Sequence, residues 1–225
     1  MKRELVLTSD GSHTVSIPEI NVTYHSKFGA IQESQHIFIE AGLNYLRNAS
    51  KQTGVLNIFE MGFGTGLNAL LTLIATAPPQ QKIYYETTEL FPLEMEQVNR
   101  LNYCGQLNQP VLQKTFEQLH LCEWNREIEI SPYFILKKTN TSLLNFSGNT
   151  SFNLVYFDAF APEVQPELWT TGVFGNLYAY MQTGAVLTTY CSKSIVRKAM
   201  QAVGFIVTKI PGPPGKREMI RATKP

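Results

Sequence analysis

Apolar residues fall in short blocks separated by polar breaks, and the blocks alternate between strand and helix character. Residues 55–59 form a strand-sized apolar run ending at Glu60. After a glycine cluster, Leu67-Asn68-Ala69-Leu70-Leu71-Thr72-Leu73-Ile74-Ala75 has helix-forming composition, closed by Pro78-Pro79. Residues 83–88 are a second β-rich run ending in Glu89, and Pro92 sits where a first-turn proline is tolerated, opening a helix toward Tyr103. After a polar connection, residues 133–136 read as a third strand, 154–157 as a fourth ending on Asp158, and 185–190 as a fifth. Helices are predicted over 166–181 and 193–203, the latter stopped by Gly204. Residues 205–210 and 219–222 close the pattern as a strand pair joined through Pro211-Gly212-Pro213-Pro214-Gly215-Lys216.

Strands alternating with helices predict an α/β fold: a doubly wound, mostly parallel, seven-stranded Rossmann-like sheet with helices on both faces and an antiparallel closing pair. Residues 1–53 stand outside the alternation. Their Gly29-Ala30 break and the helical pattern around Ile37, Phe38, Ala41 and Leu46 predict a short β segment and a helix. The expected organisation is an extension over 1–53 covering the ligand crevice and a main domain over 54–225, one structural domain overall.

A 44% hydrophobic, 16% charged composition supports a packed core and excludes a disordered chain. The net charge of +1 means that a nucleic-acid surface would have to be a local patch. Cys104, Cys122 and Cys191 have neither metal-ligand nor C-x-x-C spacing, and His13, His25 and His36 show no ligand spacing, so no metal is expected. Reduced thiols, the absence of a signal-peptide core after Met1-Lys2-Arg3, and the lack of an apolar stretch near ~20 residues predict a soluble cytoplasmic protein without a membrane partner.

Ligands of doubly wound sheets bind beyond the carboxyl ends of strands near the point where strand order reverses, and three features fall at such ends. The first is Glu60-Met61-Gly62-Phe63-Gly64-Thr65-Gly66-Leu67-Asn68, where glycines allow close backbone approach and N–H groups at the helix start can bind a carboxylate. Leu67 stands where a dinucleotide fingerprint needs its third glycine, and no Gly-Lys-Ser/Thr follows. A bare turn is the competing reading. The second feature is Glu89, about 23 residues beyond Gly66, placed to accept ribose hydroxyls or else simply exposed at a strand end. The third, Asp158-Ala159-Phe160-Ala161-Pro162, sets a carboxylate, a ring and a rigid turn at the crevice mouth, with an N-cap or turn aspartate as the alternative.

Together these stretches resemble class I methyltransferases and, more narrowly, the MnmD-type tRNA methyltransferases that also form one half of fused MnmC enzymes. The resemblance runs through Asp10-Gly11-Ser12-His13-Thr14, Tyr24-His25-Ser26, Gly29-Ala30, Glu33-Ser34, residues 60–68, residues 157–162, Pro166-Glu167-Leu168-Trp169, Thr189-Tyr190-Cys191 and Gly212-Pro213-Pro214-Gly215-Lys216-Arg217-Glu218. It implies S-adenosylmethionine as cofactor and methylation of the primary amine of 5-aminomethyl-2-thiouridine at the tRNA wobble position. The partner would be tRNA already carrying the aminomethyl group, supplied by a separate upstream modification enzyme. The flavin half of the fused enzymes does not fit in 225 residues, so no flavin is expected.

On this reading Glu60, Gly62, Phe63, Gly64, Thr65, Gly66, Asn68, Glu89 and Asp158 hold the cofactor. Asn140 stands where class I enzymes often carry the acid that holds the adenine amino group, and its amide oxygen could accept that bond. Asp158 orients the amine and accepts its proton, while Phe160 and Tyr24 wall the site. Lys193, Arg197, Lys216 and Arg217, with Lys198 and Arg221 near them, are candidates for phosphate contacts; Trp169 and Tyr190 are either base-stacking or core rings. The alternatives are an aminopropyltransferase-like enzyme, an NAD-linked oxidoreductase, which Leu67 disfavours, and a tRNA-binding protein without catalysis.

Overall fold

The structure is a computed structural model that describes residues 2–49, 54–77 and 81–225. The Pro78-Pro79 helix stop and the proposed domain boundary at 53 lie at or outside its limits. The chain opens with a small antiparallel sheet, β1 (Glu4–Leu7), β2 (His13–Ile17) and β3 (Val22–Thr23). A continuous helical run follows: α1 (Ala30–Ser34), a π-wound middle over Gln35–Asn44, and α2 (Tyr45–Ala49). The Asp10-Gly11-Ser12 turn caps this run, with Ser12 Oγ accepting Ala30 N–H at 3.2 Å and Asp10 Oδ2 accepting Gln32 N–H at 3.0 Å. A run that starts with its first donors satisfied can bury its N-terminal end, as this one does at Ala30, and it turns one apolar face inward.

Then come β4 (Leu56–Met61), α3 (Leu67–Thr76), β5 (Ile83–Thr88), α4 (Met95–Val98), α5 (Tyr103–Gln106), α6 (Gln113–Leu121), β6 (Glu127–Ser131) and β7 (Phe134–Thr139). The chain finishes with β8 (Phe152–Phe157), α7 (Thr171–Tyr180), β9 (Met181–Thr189), α8 (Ser194–Ala202), β10 (Ile206–Pro211) and β11 (Glu218–Thr223). The main sheet has the order β10-β11-β9-β8-β4-β5-β7-β6. Its centre, from β9 through β7, is parallel, and antiparallel pairs close both edges.

The sheet therefore has eight strands where seven were expected. The additional one is β6, which Glu127-Ile128-Glu129-Ile130 forms by alternating charged and apolar residues at an edge; α6 and β6 occupy what the sequence reading left as a polar connection. Two predicted helices are also broken. The one expected from Pro92 divides into α4 and α5, and the one expected over 166–181 becomes a 3-10 turn at Pro166–Trp169 followed by α7, whose N-cap Thr170 accepts Val173 N–H.

Period-two alternation sorts the strand side chains between two cores. Ile58, Leu154, Tyr156, Val186 and Met219 face one, shared with α3, α6 and the N-terminal helical run through Ile37, Phe38, Leu43 and Leu46. Phe59, Val155, Phe157, Leu187 and Ile220 face the other, with Trp169, Phe174 and Leu177 from the 3-10 turn and α7 and Val196 and Met200 from α8. The N-terminal run is thus one of the layers on the sheet, with Phe38 5.1 Å from Tyr156 between ring centroids.

Candidate active site

Strand order reverses between β4 and β8. Met61 pairs with Phe157 on one side and with Thr88 of β5 on the other, so the residues leaving these three strands, Gly62, Asp158 and Glu89, emerge side by side. Gly62, Gly64 and Gly66 all have positive φ, at 86°, 50° and 71°. At Gly66 a Cβ would also come within 2.7 Å of His120 Nε2, so backbone conformation and space both require glycine. The loop is tied to β5 by Gly62 N–H and Phe63 N–H, which both donate to Thr88 O. Leu70 N–H closes the first turn of α3 on Gly66 O, leaving the preceding N–H groups of the helix start available to an anionic ligand.

A cavity of about 540 Å³ opens above this loop, within the range of small-molecule sites. It is lined by Gly62 to Thr65, Leu67, Asn68, Glu89 and Asp158 from the sheet side and by Arg3, Ile17, Ile20 and Tyr24 from the N-terminal segment. Glu89 accepts Gly64 N–H at 3.0 Å through Oε2 and Phe91 N–H at 2.8 Å through Oε1. Each oxygen keeps a second lone pair for a ribose hydroxyl, so Glu89 can brace the loop and hold a ligand together. Glu60 does not line the cavity. It is 1% exposed beneath the loop, burial pushes its carboxyl well above the usual range, and the Asn68, Tyr85 and Thr87 side chains around it oppose that rise in part.

Asn140 departs from its expected place. Strand β7 runs on to Thr139 and the chain then turns, with Thr141 N–H donating to Thr139 O, so Asn140 is exposed and its Nδ2 donates to Glu89 O at 2.9 Å. Thr141, Ser142 and Leu143 form the cavity wall instead.

On the far side of Asp158 lies a second, smaller chamber of about 260 Å³. Tyr24, His25, Asp158, Ala159, Phe160 and Val164 line both chambers, and Tyr24 and Phe160 meet edge to face at 5.3 Å. Asn68 Nδ2 donates to Asp158 Oδ2 at 3.1 Å. Burial and then the Glu33 carboxylate push the Asp158 carboxyl up to about 7, against the Asn68 bond and the Lys216 charge. The 158–162 turn is pinned by Trp169 Nε1 donating to Phe160 O and Tyr190 Oη donating to Ala159 O, both at 2.8 Å. Trp169 is buried and Tyr190 half-buried, which assigns both rings to the frame of the site.

The cations divide. Lys216 is in the smaller chamber, paired with Glu33 at 2.7 Å. Lys193 pairs with Glu163, and Arg221 lies over the Tyr45 ring at 3.4 Å. Arg217 and Lys198 are exposed and Arg197 half-buried, which leaves these three turned to solvent to differing degrees. Sequence reading named neither Glu33 nor His25 as a site residue. Nothing local in the sequence brings either of them to Asp158.

A glycine loop at the switch point, an acid after the next strand and a cavity spanning both define a Rossmann-like protein with a site suited to a nucleotide-type cofactor. A family model described as S-adenosyl-L-methionine-dependent methyltransferase matches residues 95–225, more than half of the chain, and the chain belongs to that family. It is similar to the tRNA 5-methylaminomethyl-2-thiouridine biosynthesis bifunctional protein MnmC of Methylobacillus flagellatus, at 28% identity over 88% of this chain and 32% of the relative. The protein of the same name from Actinobacillus pleuropneumoniae serotype 5b matches at 26% identity over 97% of this chain and 35% of its own length. The chain thus spans about a third of these curated relatives. Among solved structures, MNMC2 from Aquifex aeolicus superimposes with a TM-score of 0.80 at 24% identity, covering 100% of this chain and 70% of that one. DesVI of Streptomyces venezuelae superimposes with a TM-score of 0.51 at 10% identity, over 86% of this chain and 93% of that one. Both show the α/β fold. Among the described residues no helix is long and apolar enough to cross a membrane, and no three His, Cys, Asp or Glu side chains gather as a metal site.

Proposed function

We propose that the chain methylates a primary amine, that of 5-aminomethyl-2-thiouridine at the wobble position of tRNA, giving 5-methylaminomethyl-2-thiouridine. The observation that carries this reading is the pair of chambers joined at Asp158, one sized for the cofactor and one for a small polar group. The names of the MnmC relatives support the nucleoside assignment.

Bound S-adenosylmethionine supplies a methyl group on a sulfonium, already activated for transfer. The positive-φ loop and the N–H groups opening α3 fit its carboxylate, Glu89 fits its ribose, and Thr141 to Leu143 fit its base. On the acceptor side the amine must lose a proton before its lone pair can attack the methyl carbon. A lysine-like ammonium with pKa about 10.4 is neutral only about once in 2,500 at pH 7. Asp158 takes this proton. Raising its carboxyl from 3.8 to about 7 removes about 4 kcal/mol from the uphill transfer relative to an ordinary aspartate. With the cofactor bound, the amine would accept the methyl group while the C–S electron pair stayed on sulfur, and the product would leave as a secondary ammonium. Tyr24 and Phe160 exclude water at the junction and align the reactants.

The aminomethyl group is the product of a separate, earlier modification, and Arg197, Lys198 and Arg217 are the cations offered to the tRNA backbone. The test is transfer of labelled methyl from S-adenosylmethionine to tRNA bearing 5-aminomethyl-2-thiouridine, beside unmodified tRNA, with nucleoside mass analysis. Label as 5-methylaminomethyl-2-thiouridine with the modified tRNA alone is expected. Label on unmodified tRNA, or tRNA binding without transfer, would overturn the assignment. Transfer of an aminopropyl group from the decarboxylated cofactor would replace it.

A further inference from the structure

The smaller chamber already contains a primary amine. Lys216 Nζ donates to Glu33 Oε1 at 2.7 Å and stands 4.0 Å from the centre of the Tyr190 ring. A carboxylate oxygen beside an aromatic face is the pattern that recognises an alkylammonium group, through a charge-assisted hydrogen bond and the negative face of the ring. We propose that Glu33 and Tyr190 form the ammonium-binding site of the acceptor chamber, and that Lys216 fills it as a displaceable surrogate until the acceptor's amine takes its place. The inference rests on reading the smaller chamber as the acceptor's.

The two halves of the site are fixed independently of Lys216. Glu33 is 8% exposed, and its other oxygen, Oε2, accepts Ser26 N–H at 2.6 Å, which holds the carboxylate in place when Lys216 leaves. The Tyr190 ring is anchored by its hydroxyl on Ala159 O and by edge packing with Trp169 at 6.1 Å. Lys216, by contrast, hangs from the Gly212-Pro213-Pro214-Gly215 turn on a flexible stem, and its side chain is 34% exposed. It can swing outward to solvent without disturbing the core.

Charge makes the exchange selective. Departure of Lys216 leaves a nearly buried carboxylate that only another cation satisfies. A wobble side chain ending in a primary ammonium reproduces the Lys216 head group, whereas one ending in a hydroxyl or a carboxylate does not. The released Lys216 then joins Arg217 at the surface, where phosphate would receive it.

The test uses the full chain and propylammonium chloride, with n-propanol as the neutral isostere, each titrated by heteronuclear NMR. Lys216→Met is expected to bind propylammonium at least tenfold more tightly than the wild-type protein. Glu33→Gln, which keeps an oxygen for Ser26 N–H, is expected to weaken binding at least tenfold, and n-propanol should not bind. Unchanged or weaker binding by Lys216→Met overturns the surrogate role, as does undiminished binding by Glu33→Gln. S-adenosylhomocysteine affinity and melting temperature certify the fold, and Lys216→Gln serves in place of Lys216→Met if the latter is unstable. Propylammonium binding with the predicted order but no methyl transfer to tRNA defeats the substrate assignment while the ammonium site stands. Methyl transfer without that order defeats the site alone.

Discussion

Asp158 is an acid raised by burial and by Glu33, an arrangement that costs stability and brings its titration near neutrality, as the proposed role of proton acceptor requires. Its linkage has an unusual sign. Because the folded carboxyl holds its proton more tightly than the unfolded one, its contribution to stability is greatest below the unfolded pKa of about 3.8 and is lost as pH rises through about 7. Asp158→Asn should therefore raise the melting temperature at pH 8 by a few degrees, corresponding to about 1 kcal/mol in a chain of this size. The same variant should lose about 10²- to 10⁴-fold in methyl transfer while S-adenosylhomocysteine affinity stays within about twofold. For the wild-type enzyme, kcat/KM should fall on the acid side of about pH 7; a flat profile from pH 6 to 8 would remove Asp158 as the acceptor. The residues legible in the sequence were those that announce themselves locally: Gly62 to Gly66, Glu89 and Asp158 each end a recognisable strand. Glu33 and Lys216 meet across a separation of 183 residues, and no periodicity encodes such a contact.

At the scale of elements, the cofactor loop depends on neighbours that sequence pattern hid. Helix α6 reads as connection in the sequence because its stretch Gln113-Lys114-Thr115-Phe116-Glu117-Gln118 is mostly polar, yet it carries His120, whose ring nitrogen bonds Thr65 O at 3.1 Å behind the loop. Burial, followed by the Lys138 charge, holds that imidazole down to about 3, and burial holds His25 down to about 4. Depressed bases contribute stability that is present above the unfolded pKa of about 6.5 and lost as pH falls below it. Urea denaturation at pH 7 and pH 5 should show this loss, and His120→Gln should diminish it. Gly66→Ala forces a Cβ toward His120 at a φ of 71°, and should weaken S-adenosylhomocysteine binding at least tenfold while costing about 1–2 kcal/mol of stability. Trp169→Phe releases the Phe160 carbonyl and should lower kcat more than it raises the KM for S-adenosylmethionine, because the turn it frees borders the acceptor.

Across the whole molecule, the βα alternation points to a mostly parallel sheet with an antiparallel closing pair, because each strand and helix is a pattern within a single segment. What escaped was tertiary. The eighth strand is a short charged edge, and the N-terminal helical run has an apolar surface whose partner, the face bearing Tyr156 and Leu154, lies more than a hundred residues away. The walls of the site likewise come from separate parts of the chain. Residues following β4, β5 and β8 line the larger chamber together with Arg3, Ile17, Ile20 and Tyr24, while Tyr24, His25 and Glu33 from the first forty residues line the smaller one. The most direct test of this two-chamber arrangement is a crystal structure with S-adenosylhomocysteine. The account predicts its carboxylate at the start of α3, its ribose on Glu89 and its sulfur facing the Tyr24–Phe160 junction beside Asp158. Density for the ligand in the smaller chamber, or a sulfur directed away from Asp158, would contradict it.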